Sequence, residues 1–115
     1  MKCQTKYITA NVTANGTISA LTMNNLVIGK KYSARVFGRF SFTIADNSMA
    51  LLVQHDGIDI IALEAAGSAA DAYTLTNSKD FFTATATTVT VSASAFAGGG
   101  NALLASGFEI GRAHV

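Results

Sequence analysis

The stretch Lys31-Tyr32-Ser33-Ala34-Arg35-Val36-Phe37-Gly38-Arg39-Phe40-Ser41-Phe42-Thr43-Ile44 decides the class of fold. Read with a period of two, Tyr32, Ala34, Val36, Gly38, Phe40, Phe42 and Ile44 share one side. Ser33, Arg35, Phe37, Arg39, Ser41 and Thr43 share the other. A helix would scatter both sets around its circumference. The segment therefore reads as a strand with one buried face and one wet face, and Arg35, Phe37 and Arg39 belong to the wet one.

The neighbouring text is written the same way. Proline is absent, and Thr, Val, Ala and aromatic residues alternate between Asn-Gly, Asp-Gly and Gly-rich breaks, which is the pattern of many short strands. Upstream, Ile8, Ala10 and Val12 share a face, and Asn15-Gly16 predicts a hairpin turn because both residues tolerate positive φ. Asn24 to Lys30 reads as a loop that turns at Gly29. Downstream, Asp46-Asn47-Ser48 ends the run, and Met49 to Leu63 predicts a second hairpin about Asp56-Gly57. Ala65 to Ala72 is a loop of small residues. Asp80 to Phe96 supplies one or two strands, and Ala102 to Phe108 a last one. No repeat of solenoid length is present. The expected fold is all-β: an antiparallel two-sheet sandwich of jelly-roll type with seven to eight strands. An immunoglobulin-like sandwich would want cysteine and tryptophan marks that this chain lacks.

The second hairpin raises the question of assembly. A regular two-residue turn would set His55 opposite Ile58, Val53 opposite Ile60 and Leu51 opposite Ala62 on one side. On the other it would set Gln54 opposite Asp59, Leu52 opposite Ile61 and Ala50 opposite Leu63. Both sides are then apolar away from the turn, whereas a sandwich strand buries only one. Ala50, Leu52, Ile61 and Leu63 are accordingly the candidate subunit interface.

Composition points the same way. A chain of 115 residues is one domain. Half of it is hydrophobic and 13% charged, which is sparse for the surface of a monomer. The formal net charge of +1 and the lack of a basic run give no support to nucleic-acid binding by a charged stripe, and none is expected. The one cysteine, Cys3, rules out an internal disulfide. No apolar run has the length of a membrane span, and the opening residues lack the apolar core of a secretory signal.

Catalytic chemistry finds no purchase. His55 and His114 are the two histidines, and neither sits in a cluster with metal-ligand spacing. His55-Asp56 reads as a solvated hairpin tip. The carboxylates are scattered, serines lack a nucleophile-elbow pattern, and Gly98-Gly99-Gly100 lacks the lysine and helix of a phosphate cradle. No catalytic, metal or cofactor residue is assigned, and an enzyme is not expected. Arg35, Phe37 and Arg39 remain as candidate surface-binding residues, able to hold a sugar or anion by stacking and charge. The plainer reading of the same residues is a solvated outer face.

A resemblance adds to this. Residues 4 to 36, Gln-Thr-Lys-Tyr through Asn-Asn-Leu and Gly-Lys-Lys-Tyr to Arg-Val, are similar to the carboxy-terminal domains of bacteriophage tail fibres and related virion appendage proteins. Asp80-Phe81-Phe82-Thr83-Ala84-Thr85-Ala86-Thr87-Thr88-Val89-Thr90-Val91 resembles their late strand pair. Leu103-Leu104-Ala105-Ser106-Gly107-Phe108 resembles their closing strand, and that of the trimeric heads of the complement and tumour-necrosis-factor families. The resemblance covers most of residues 4 to 108. It implies a structural, receptor-binding tip domain on a virion, a homotrimer, and contact with a host-surface glycan or protein, without membrane insertion. It carries no site residues. A carbohydrate-binding or adhesin module of a secreted cellular protein, and a non-catalytic domain of a glycan-degrading tailspike, are the other readings.

Such domains follow a shaft and continue past the last strand, so the chain is expected to be a fragment of a longer one. Its last residues give a reason. The codons GAG ATC GGA AGA GCA CAC GTC encode Glu109 to Val115, and all but the first base match the start of a common sequencing-library adapter, which continues with a stop. Residues 1–109 are therefore expected to form the domain, and 110–115 a non-native tail in which Arg112 and His114 carry no functional meaning.

Overall fold

The computed structural model describes residues 4–9, 12–13, 15–42, 48–66, 71–94 and 102–112. Among the described residues eight strands run in order: β1 Gln4–Ile8, β2 Gly16–Thr17, β3 Lys31–Phe42, β4 Ser48–His55, β5 Ile58–Ala66, β6 Asp71–Thr83, β7 Val89–Ser94 and β8 Ala102–Arg112. They form two four-stranded sheets, β1-β8-β3-β6 and β2-β7-β4-β5. Every pairing is antiparallel. First pairs with last, second with seventh, third with sixth and fourth with fifth. That is one long hairpin rolled up, the jelly-roll order expected from the strand count.

β3 supplies the centre of the first sheet, and its burial alternates along its whole length. Tyr32, Val36, Phe40 and Phe42 are buried in the core with Leu51, Val53, Val89, Val91, Leu103 and Phe108. Tyr32 can be buried because its hydroxyl accepts the Val27 N–H at 2.8 Å. Gly38 also faces inward, where a Cβ would come within 3.0 Å of Leu51 and Leu103 side chains from both layers. A larger residue there would hold the sheets apart. The Gly29 turn before β3 has positive φ, as its sequence predicts.

The other predicted hairpin does not form. Asn15-Gly16 does not join two paired strands: β1 pairs with β8 in one sheet and β2 with β7 in the other. The chain crosses between sheets there, then passes through a 3-10 turn, Ser19–Leu21, which buries Leu21. β6 also begins at Asp71, nine residues before the strand expected from Asp80, because β3 offers its full edge as a template.

The β4–β5 hairpin turns where predicted, with Asp56 and Gly57 both at positive φ. Its register is different. His55 faces Ile58 and Gln54 faces Asp59, but Val53 then faces Ile61 and Leu51 faces Leu63. Ile60 is the extra residue of a β-bulge, and it shifts the phase of β5 by one. Ile61 and Leu63, each 4% exposed, therefore join Leu51 and Val53 in the core. Ala50 and Leu52 lie half-buried on the opposite face, beside exposed Ala62 and Glu64. The four candidate interface residues do not share a face, and the second apolar side inferred from a regular register is absent.

β8 continues to Arg112. Ile110 pairs with Gln4 and Ala34, and it is 1% exposed within the core. It stands two residues after Phe108, so the alternation aims it inward. Residues 113–115, with His114, lie outside the described residues, as do Cys3 and Ile44.

Candidate functional site

β3 carries Arg35, Phe37 and Arg39 outward on the first sheet, as the sequence predicts, and the pairing fixes their neighbours. Phe37 lies opposite Gly107 of β8, and Gly107 opposite Tyr7 of β1. Gly107 is what lets the rings meet. A Cβ there would sit 2.1 Å from Phe37 Cε1 and 2.7 Å from Cζ, so the phenyl ring lies flat across the glycine. It reaches Tyr7 at 5.5 Å between centroids with planes tilted 38°. Tyr7 is 57% exposed. The strand beneath is anchored by buried Ser106, whose hydroxyl donates to the Phe37 carbonyl at 2.8 Å.

One row further, Thr5, Glu109, Arg35 and Ser78 stand side by side across β1, β8, β3 and β6. The Arg35 guanidinium meets Glu109 Oε1 at 3.5 Å, and the Thr5 hydroxyl reaches Oε2 at 3.4 Å. The two partners are 62% and 39% exposed. A long, wet ion pair of this kind contributes little, on the order of 0–1 kcal/mol, so the guanidinium is free to turn. Beyond it lies a cleft of about 260 Å³ lined by Ser33, Arg35, Ser78, Lys79, Glu109 and Gly111. The β3–β6 register slips between Tyr32 and Ala34 beside this cleft, an irregularity of the kind that locally bends and twists paired strands. A smaller hollow of about 60 Å³ joins it to the rings and shares Arg35 and Glu109. On the far side of the rings Arg39 faces Ala105 and Thr74. Among the described residues, neither Arg39 nor Lys79 has a hydrogen-bond or ion-pair partner.

The second sheet presents a different outer face. Thr17 Oγ1 and Ser92 Oγ are 3.4 Å apart, Ser92 donates to Gln54 Oε1 at 3.1 Å, and Gln54 Nε2 donates to Asp59 Oδ1 at 2.9 Å. This polar row crosses all four strands and satisfies itself.

His55 is not a solvated tip. It is 4% exposed, with its ring 5.0 Å from that of Phe82. Nε2 accepts the Thr85 N–H at 3.0 Å, which leaves Nδ1–H to donate to the Thr88 carbonyl at 3.0 Å. Asp56 turns aside to accept the Thr85 hydroxyl at 2.9 Å. Both imidazole nitrogens are thus used to fasten the loop before β7 to the hairpin. Among the described residues no group of three His, Cys, Asp or Glu could hold a metal ion, and no helix is long and apolar enough to cross a membrane.

The sequence singles out Arg35, Phe37 and Arg39 as candidates, and the structure adds Tyr7, Lys79, Gly107 and Glu109 as their neighbours on the same face, which the sequence did not indicate. A glycine inside a strand pattern signals close approach, but which ring approaches Gly107 depends on a β1–β8 pairing that spans the whole chain. Comparison with protein-family models, with curated proteins and with solved structures finds no match to this chain.

Proposed function

We propose that this domain is a receptor-binding tip module of a phage tail fibre or similar virion appendage, and that the outer face of the β1-β8-β3-β6 sheet meets a host-surface glycan. The observation that carries the reading is the ring pair of exposed Tyr7 and half-buried Phe37, laid over Gly107 between Arg35 and Arg39. Sugar rings stack on such aromatic faces, and the two guanidinium groups beside them, Arg39 without a partner among the described residues and Arg35 held only by a long contact to Glu109, supply directional hydrogen bonds. Among the described residues the opposite sheet, with its polar row of Thr17, Ser92, Gln54 and Asp59, presents no comparable aromatic pair. Assembly as a homotrimer on the virion follows from the resemblance, and the low share of charged residues supports it. Exposed Val27, Ile28, Ile58 and Phe81 offer apolar surface for the contact.

Binding of the purified domain to host cells and to an array of glycans tests the reading, with Tyr7→Ala as the control. Loss of binding in the variant, with an unchanged circular dichroism spectrum, is the expected result. Equal binding by Tyr7→Ala would place the receptor elsewhere, and binding abolished by protease treatment of the cells would make the receptor a protein. Sedimentation equilibrium at micromolar concentration reads the assembly, and a monomer there refutes the trimer.

A further inference from the structure

We infer that the cleft beside Arg35 takes the carboxylate of an acidic saccharide whose ring rests on Tyr7 and Phe37. The inference rests on the reading of this face as the glycan-binding face and names the class of glycan. Among the described residues two cations, Arg35 and Lys79, line the cleft against one carboxylate, Glu109. Lys79 has no partner among the described residues, and Arg35 has only the 3.5 Å contact with Glu109 and is 62% exposed. A neutral sugar would leave the excess positive charge unused. A carboxylate matches it, because a guanidinium fork takes both oxygens in one plane while an ammonium closes from the side. Ser33 and Ser78 add hydroxyls to the same wall, and Glu109 offers an acceptor for sugar hydroxyls. The hollow between cleft and rings shares Arg35 and Glu109, so one ligand can touch both. A bare anion would use the cations and ignore the rings.

The test compares methyl glucuronide with methyl glucoside, which differ at one carboxylate, and with acetate, which lacks the ring. Titrations of the full chain are followed by amide chemical shifts and calorimetry. Methyl glucuronide should bind roughly tenfold or more tightly than the glucoside, the contribution of one charge-assisted hydrogen bond. Its affinity should fall with added salt, and the shifts should map to Tyr7, Arg35, Lys79 and Gly111. Arg35→Ala and Lys79→Ala, both at exposed positions, should each erase most of the preference while the spectrum of the fold is kept. Equal binding of the two sugars overturns the carboxylate assignment and leaves a glycan face intact. Acetate binding as well as the glucuronide does overturns the saccharide. Shifts from none of the three overturn the inference outright, and the Tyr7→Ala cell-binding result then decides separately whether the face binds a receptor at all.

Discussion

Gly107→Ala is the most informative single perturbation. The new methyl would lie 2.1 Å from Phe37 Cε1 and 3.0 Å from Cδ1, so the ring must swing off the strand. The clashing atoms are the far end of a half-buried side chain, so the ring can leave without unfolding the sheet. What is lost is its cover over β8 and the Tyr7 contact at 5.5 Å, of which the ring pair accounts for about 0.5–1.5 kcal/mol. Alanine is otherwise preferred to glycine within a strand by roughly 0.5–1 kcal/mol. The net cost should be about 1 kcal/mol, within the low range for overpacking. In a Phe37→Ala background the clash is gone, and the same substitution should become neutral or stabilising by up to about 1 kcal/mol. Urea denaturation of the wild type, both single variants and the double variant measures the coupling. Additive effects across the four proteins would show that Phe37 does not rest on Gly107.

Phe40, fully buried at the sandwich centre, should lose about 3–5 kcal/mol on Phe40→Ala, whereas exposed Arg39→Ala should stay within about 0.5 kcal/mol; the reverse order would mean that β3 is out of phase. Ile110→Ala should cost about 2–5 kcal/mol, and removing residues 110–115 at least as much, read as a drop in the denaturation midpoint; an unchanged midpoint would show that the last strand ends before the core. His55→Ala removes the partner of the Thr85 N–H and the Thr88 carbonyl, at about 1–3 kcal/mol in total because water can reach exposed Thr85. Faster amide exchange at Thr85 should accompany the loss, and unchanged exchange there would remove the imidazole from the loop's support.

The sandwich was legible because β3 writes its two faces in strict alternation and proline and helical periods are absent. Turn chemistry was legible where it acts locally, at Gly29 and at Asp56-Gly57. Two kinds of information were not. The Ile60 bulge is a single unpaired residue with no sequence mark of its own, and it reversed the phase of β5, moving Ile61 and Leu63 from a supposed interface into the core. Long-range pairing was equally silent. The Asn15-Gly16 dipeptide has every local qualification for a hairpin, yet its two flanks are claimed by β8 and β7. The same silence hid Tyr7, Gly107 and Glu109, which join Arg35 and Phe37 only because the first and last strands lie together. His55 looked solvated because a turn residue follows it, and it is the Phe82 ring together with the loop from Ala84 to Thr88 that covers it.

That closing pair of strands also sets when the protein can become itself. β8 lies between β1 and β3, and its register with β1 joins Gln4 to Ile110. On a ribosome, which emits the chain from the amino end, β1 has no partner until the final strand emerges. β3 likewise waits for β6 and then for β8 before both its edges are covered. Such non-local pairing folds slowly, on the order of milliseconds to seconds, and leaves apolar strand edges open in the interval. A nascent or prematurely terminated chain therefore leaves these edges open, and exposed Lys6, which donates to the Thr22 carbonyl at 2.8 Å, places a charge on the edge strand that would otherwise wait bare.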